Sequence, residues 1–351
     1  YWYTKRLQKN HVKRIKYINE KNINKKITIQ PIFSYRKLFK SFFSSKKSIT
    51  ENLYQSGSAA LYAALSLIML KKNIKKIYVP KFICNEVVLV IEKLNLNLQF
   101  YDIDSELNII INDNLKRGLS DDTALLVINY FGFSSDWDLI NQLKKDYKTL
   151  IIEDNCHSLF TKRNKEYLGN LGDISFNSLR KVIPVLSGSI LVSNNSDIRF
   201  LNEYKVKIPK IHQIINSLRG FISKSNKNIK HKKSLEYLDK DPYIDYFSYN
   251  IIKNNIFNAE KIRMIRSSNY LFWKEFLTNT DLIYFSSLIL DRQVSPYAFP
   301  CKANNSDDVK KWIEWGRKKN INIIKWPNFP NNIMMKEIPK NLHHVLLFPV
   351  N

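Results

Sequence analysis

Three short stretches of the 351-residue sequence hold residues whose types and order could do chemistry. Gly57-Ser58-Ala59-Ala60 stands at the head of an alanine- and leucine-rich run. A helix starting there offers unpaired N–H groups and the positive end of its dipole, beside side chains small enough for a phosphate to approach. The same residues also fit an ordinary serine cap. Asp154 follows the apolar run TLII. A carboxylate at a buried strand end needs a partner. It could hold a protonated ring nitrogen or a metal, or serve as a cap or one half of an ion pair. Lys181 comes 27 residues later, in LRKVIPVL between two strand-like runs. A lysine tethered there could form a Schiff base with an aldehyde cofactor. Among 56 Lys and Arg residues, a solvent-facing charge is the plain alternative. Their order along the chain adds weight. An anion cradle, a strand-end carboxylate and a lysine are the three needs of pyridoxal phosphate: a seat for its phosphate, a partner for its ring nitrogen and an amine for its aldehyde.

These groups need a scaffold, and the surrounding pattern supplies one. Leu61, Leu65 and Ile68 recur at helical spacing over residues 57–70. KKIYVP reads as a strand ending at Pro80, NEVVLVIEKL as a helix and LNLQFYDID as a strand. TALLVINYFG reads as a buried strand ending at Gly132, and SDWDLINQLKK as a helix capped by Ser135 or Asp136. TLIIEDNCHSLF is a strand breaking at Glu153-Asp154, and DISFNS and SGSILVSN are two more strands. Alternation of this kind predicts an α/β architecture with a mostly parallel sheet. Ligands collect at the C-terminal ends of such strands, where Asp154 and the Phe131-Gly132 turn fall. From about residue 200 the pattern changes. NKNIKHKKS is a basic connector, AEKIRMIRSSNYLFWKEFL a long helix, and residues 280–351 a smaller α+β unit. The division expected is a basic N-terminal segment at 1–50, a large α/β domain at 51–240, and a linking helix with a small domain at 241–351.

Composition sets bounds on the rest. Hydrophobic residues at 44% and aromatics at 13% suffice for two cores. Cys84, Cys156 and Cys301 lie too far apart for a metal-ligand spacing or a disulfide framework, which fits a reducing cytoplasm and no metal. No run of about twenty apolar residues predicts a membrane span. The formal net charge of +25 accompanies an abundance of Lys, Asn and Ile, so composition bias explains it first. The functional alternative is attraction to anionic partners: a basic mouth for phosphorylated substrates, and basic helices near 1–45 touching anionic lipid. No nucleic-acid recognition module is visible.

The motifs bear a resemblance. SGSAAL, Ser56 to Leu61, resembles the Ser-Gly-Thr-Ala-Ala-Leu phosphate turn of the DegT/DnrJ/EryC1/StrS family of sugar-modifying aminotransferases. VPKFIC, EDNCHS and GNLGDISFNSLRK resemble its Pro-Ser-Phe-Thr-aromatic, Glu-Asp-Ala-Ala-His/Gln and pre-lysine segments, and LLFPVN resembles its closing strand. The likeness is good over residues 54–195 and weaker over 285–351. It implies a fold type I pyridoxal-phosphate enzyme with a seven-stranded sheet, acting as a homodimer. It implies that Lys181 forms the Schiff base and is the general base, and that Asp154 protonates the ring nitrogen. Gly57, Ser58, Ala59 and Ser178 would hold the cofactor's phosphate end, with His157 beside the ring or its 3′-oxygen. The implied reaction is amino transfer from an amino acid, L-glutamate foremost, to a nucleotide-linked keto sugar. The alternatives are a sugar dehydratase, in which the family replaces the lysine by histidine, and a non-catalytic binding protein on the same fold. Three departures stand out. The ring-stacking position, often aromatic, falls on Cys84. The Asn that reaches the partner subunit's phosphate has a poor counterpart in Asn250. The segment before residue 54 departs from the family's opening.

Overall fold

A computed structural model describes residues 27–31, 52–200, 206–207, 238, 242–253 and 258–351. Most of the basic 1–50 segment and the 226–234 connector lie outside these residues, and with them the expected lipid-touching helices.

The large unit is built on seven strands: β1 (Asn52–Tyr54), β2 (Lys76–Pro80), β3 (Asn97–Tyr101), β4 (Thr123–Ile128), β5 (Leu150–Asn155), β6 (Ile174–Asn177) and β7 (Ser189–Ser193). Their order across the sheet is β1-β7-β6-β5-β4-β2-β3. β7 runs antiparallel to β1 and β6, and the other pairs are parallel. This is the mostly parallel seven-stranded sheet expected. The central strands read as continuous apolar runs because both faces are covered: every residue of β4 and β5 is buried. Edge strand β3 has exposed Asn97 and Gln99 alternating with better-covered neighbours.

Four helices serve this sheet: α1 (Gly57–Lys72), α2 (Asn85–Lys93), α3 (Asp113–Gly118) and α4 (Trp137–Tyr147). α1 buries Ala60, Leu61, Ala64, Leu65 and Ile68, a stripe at helical spacing. Ser56 caps it by accepting the Ala59 N–H at 3.2 Å, and Asn73 ends it in the left-handed region. Asp136, not Ser135, caps α4.

Two strand ends differ from expectation. β4 stops at Ile128 rather than Gly132, because Phe131 (φ 54°) and Gly132 (φ 100°) turn the chain sharply. A Cβ on Gly132 would stand 2.4 Å from the Ser295 carbonyl oxygen, so this glycine allows another segment to lie against the turn. β5 does not break at Glu153-Asp154 but carries both to Asn155. Side chains alternate across a strand. Glu153 points to one side, where it accepts N–H groups of Gly169, Leu171 and Gly172 at 2.9, 3.1 and 3.2 Å. Asp154 points to the other.

The smaller C-terminal α+β domain has strands β8 (Ile283–Tyr284), β9 (Ala298–Lys302), β10 (Ile324–Lys325) and β11 (Val345–Pro349) in the order β8-β9-β11-β10, all antiparallel. α5 (Tyr246–Lys253) and the long α6 (Ala259–Phe276) precede it, and α7 (Ser306–Lys318) lies within it. Residues 27–31 run beside this domain: Ile27 pairs with Ile321, and Asn351 Nδ2 donates to the carbonyls of Thr28, at 3.1 Å, and Ile29. Among the described residues no helix is long and apolar enough to cross a membrane.

Candidate active site

The strand-end carboxylate, the helix N-terminus and the lysine meet in one cavity of about 280 Å³. Asp154 reaches it from the C-terminal end of β5. Its Oδ1 accepts the Cys156 N–H at 2.8 Å, which fixes the carboxylate's orientation. Gly57 and Ser58 line the cavity at the head of α1, where the first N–H groups have no helical acceptor. No acidic residue stands in that first turn. A Cβ on Gly57 would come within 2.9 Å of Cys156 Sγ and 3.2 Å of the Asn177 carbonyl oxygen. Ser178 and Lys181 line the cavity from a tight turn, Leu179–Lys181, that follows β6.

Lys181 is anchored from behind. Its backbone carbonyl accepts Arg266 Nη2 at 3.1 Å, while Arg266 Nη1 donates to the Pro296 carbonyl at 3.3 Å and Nη2 also to Asn351 Oδ1. Arg266 is buried on α6, and burial lowers its pKa to about 10, with Tyr297 acting in the opposite sense. One guanidinium thus ties α6, the lysine turn and the segment leading into β9.

The charges answer to burial and to each other. Burial disfavours the Lys181 ammonium, but Cys156, Tyr297, Cys84 and Asp154 outweigh it and raise its pKa above the ordinary lysine value. Burial pushes Cys84 up to about 12 and Cys156 well above the usual thiol range, so both thiols stay neutral. Burial raises the Asp154 pKa as well, and Lys181 and the Cys156 N–H oppose the rise.

His157 is buried and lies nearly parallel to Tyr297, ring centroids 4.4 Å apart and planes 3° apart. Trp326 meets it edge-on at 5.4 Å. Its Nδ1 accepts the Phe131 N–H at 3.4 Å, which leaves the proton of the neutral ring on Nε2. Burial, and then Lys181, hold its pKa well below 6.5. The linkage has a definite sign. A histidine whose folded pKa is depressed contributes stability above its unfolded value, and this is lost as pH falls below 6.5. His157→Gln should therefore flatten the decline of stability between pH 7 and pH 5. The difference from wild type, read by urea denaturation, should grow by up to about 1.4 kcal/mol per pH unit. Parallel curves for the two proteins would contradict a neutral, buried His157.

Several residues at the cavity are new. Ala59, next in the chain to the lining residue Ser58, donates its N–H to the Ser56 cap. Asn250 lies on α5, where its Nδ2 donates to the Tyr246 carbonyl one turn back, at 2.9 Å. Cys84 lines the cavity, at the start of α2, and offers a small apolar body where an aromatic ring was the familiar choice. Gln30, Arg180, Tyr297 and Trp326 also line the cavity. Arg180, next to Lys181, was the one with a sequence signal. Tyr297 arrives through the Gly132 turn, where its N–H donates to the Phe131 carbonyl at 2.7 Å. The cationic lining residues Arg180, Lys181 and Lys325 face the carboxylates Glu86 and Asp154.

The donor set fits pyridoxal phosphate. A helix N-terminus free of acidic residues, with Ser58 and Ser178, suits the phosphate. Asp154 suits a protonated ring nitrogen, the N–H on His157 Nε2 suits a ring oxygen, and Lys181 suits the aldehyde.

Residues 13–203 match the model of the DegT/DnrJ/EryC1/StrS aminotransferase family. A GDP-4-keto-6-deoxy-D-mannose 3-dehydratase of Yersinia pseudotuberculosis is 28% identical over 149 residues, 41% of this chain and 37% of that protein. A UDP-4-amino-4,6-dideoxy-N-acetyl-beta-L-altrosamine transaminase of Campylobacter jejuni is 28% identical over 123 residues, 34% of this chain and 32% of that protein. The chain thus matches less than half the length of either relative. The structure of the E. coli GDP-4-keto-6-deoxy-D-mannose-3-dehydratase with bound hydrated PLP shares the fold. Its TM-score is 0.61 at 18% identity, covering 92% of this chain and 95% of that one.

Proposed function

The chain belongs to the DegT/DnrJ/EryC1/StrS aminotransferase family, and we propose that it is a pyridoxal-phosphate-dependent aminotransferase. It takes an amino group from an amino acid, L-glutamate foremost, and gives it to the keto carbon of a nucleotide-linked sugar for glycan biosynthesis. The observation that carries this reading is the cavity in which Lys181, Asp154 and the head of α1 stand together. Amino transfer is favoured over sugar dehydration by Lys181, since the family resemblance implies histidine at that position in the dehydratases. A homodimer, checked by sedimentation of the holoprotein, belongs to the same reading.

When bound, pyridoxal phosphate supplies an electron sink for the carbon that loses its proton. The remaining work falls to the chain. Gly57, Ser58 and Ser178 orient the phosphate, and so fix where the ring lies. Asp154, turned by the Cys156 N–H, keeps a proton on the ring nitrogen. His157 offers the N–H on Nε2 to the ring oxygen without adding charge. Lys181 would take the proton from the donor's α-carbon through Nζ in the first half-reaction and deliver one to the acceptor's carbon in the second. Arg266 ties the Lys181 backbone to α6 through the Lys181 carbonyl.

The test is a two-step titration of the holoprotein. L-Glutamate should bleach the visible cofactor absorbance and release one equivalent of 2-oxoglutarate. A panel of nucleotide-linked keto sugars should then contain one that restores the absorbance. If no amino acid bleaches a cofactor that borohydride can fix to Lys181, amino transfer is not the reaction.

A further inference from the structure

We propose that Arg180, braced by Gln30, forms an anion subsite that receives a carboxylate of the amino-acid donor; the proposal rests on the aminotransferase reading above. Both residues line the cavity that holds Lys181. Arg180 Nη1 donates to Gln30 Oε1 at 2.8 Å, and Gln30 Nε2 donates to the Tyr297 hydroxyl at 3.3 Å. Lys181 Nζ in turn lies 5.8 Å from the centre of the Tyr297 ring. The four side chains therefore form a continuous row from the guanidinium to the reactive amine.

Three features select the ligand. First, no ion pair joins Arg180 to a carboxylate among the described residues; the partner the structure gives it is a neutral amide. An arginine held in a cavity by a neutral brace keeps its charge available, and its planar fork suits a carboxylate or phosphate. Second, the cofactor's phosphate already has a seat at the head of α1, with Ser58 and Ser178. Third, Arg180 lines the same cavity as the lysine whose nitrogen the donor's amine replaces. An amino acid carries a carboxylate close to that amine, so an anion receptor in the cavity of about 280 Å³ that holds Lys181 suits a small donor. A nucleotide's phosphates lie beyond the sugar ring from the reacting carbon.

Gln30 gives this subsite a second property. It comes from residues 27–31, which are held by Ile321 and Asn351 of the C-terminal domain. Its amide orients Arg180 through the oxygen and Tyr297 through the nitrogen. The N-terminal segment, which the family match includes from residue 13 onward, thereby sets the direction of the donor-reading guanidinium.

The experiment uses the holoprotein with Arg180→Gln, Arg180→Lys and Gln30→Leu, each checked for folding by circular dichroism. Succinate, a dicarboxylate with no amine, probes the subsite without turnover, by calorimetry. Losing a charge-assisted hydrogen bond should weaken succinate binding about tenfold or more in Arg180→Gln. The L-glutamate concentration that half-bleaches the cofactor should rise to match. Arg180→Lys, which keeps charge but not the fork, and Gln30→Leu, which removes the brace, should fall between. Affinities for pyridoxal phosphate and for UDP or GDP should stay within about twofold of wild type. Unchanged succinate binding in Arg180→Gln overturns the proposal. So does a selective loss of pyridoxal phosphate binding, which would assign Arg180 to the cofactor's phosphate, or of nucleotide binding, which would assign it to the sugar donor. Because succinate binding needs no chemistry, it decides the subsite even if glutamate fails to react with wild type. That second failure would count against amino transfer instead.

Discussion

Lys181→Ala should abolish the visible, borohydride-fixable absorbance of the bound cofactor and lower amino transfer by about 10⁵-fold or more, because one residue supplies both the covalent anchor and the proton carrier. Arg180 beside it should not substitute. A guanidinium stays protonated at working pH and does not act as the nucleophile. The double variant Arg180→Lys/Lys181→Ala tests the geometry further. It places an amine one residue earlier in the Leu179–Lys181 turn, where successive side chains point in different directions. It too should stay inactive and colourless. Recovery of absorbance in that double variant would show that the turn does not fix the anchor, and survival of absorbance in Lys181→Ala would move the anchor elsewhere.

Asp154→Asn should leave the cofactor bound, since the head of α1 and Ser178 still hold the phosphate. Amino transfer should nevertheless fall about 10³-fold, a size typical of losing one preorganised charge aimed at the reacting system. The amide still reaches the ring nitrogen but cannot keep a proton there. Stopped-flow measurement of the glutamate half-reaction separates this from a binding defect: the limiting rate should drop while the half-saturating concentration moves little. A variant with wild-type limiting rate would remove Asp154 from the chemistry. In the apo-protein, Asp154→Asn also removes a carboxylate whose pKa burial raises. Its destabilising share is absent below the unfolded value of 3.8 and grows as pH rises through the folded one.

The sheet was legible because its strands carry their own signal. β4 and β5 are unbroken apolar runs, and short helices with clear caps separate them. Strand ends were less so. Nothing in TALLVINYFG announces that Phe131 adopts a positive φ, a choice made by the Ser295–Tyr297 segment packing on the turn. α3 escaped notice because it buries a single apolar residue, Leu115, and so has no periodicity. Residues near Lys181 and Asp154 could be read from local order and family resemblance. Gln30 and Tyr297 could not, since they meet across 267 residues of sequence and neither belongs to a motif. A glutamine in a basic stretch looks like solvent-facing filler until the fold places it.

That long reach bears on time. Gln30 meets Arg180 across 150 residues, and Asn351 meets Thr28 across 323. Contacts of such span require most of the chain to be ordered first, and they form late because loop closure must be met before the contact rewards it. A nascent chain whose seven-stranded sheet had formed would already present Asp154, Lys181 and the phosphate seat, all drawn from residues 57–181. It would be able to take up cofactor while Tyr297, and the Ile321 and Asn351 contacts that hold the segment carrying Gln30, were still to come. On the proposed reading, cofactor capture and donor selection would be separate events in the life of the molecule, the first able to template the second. Cofactor supplied during refolding should speed recovery of the native state more than cofactor added afterwards.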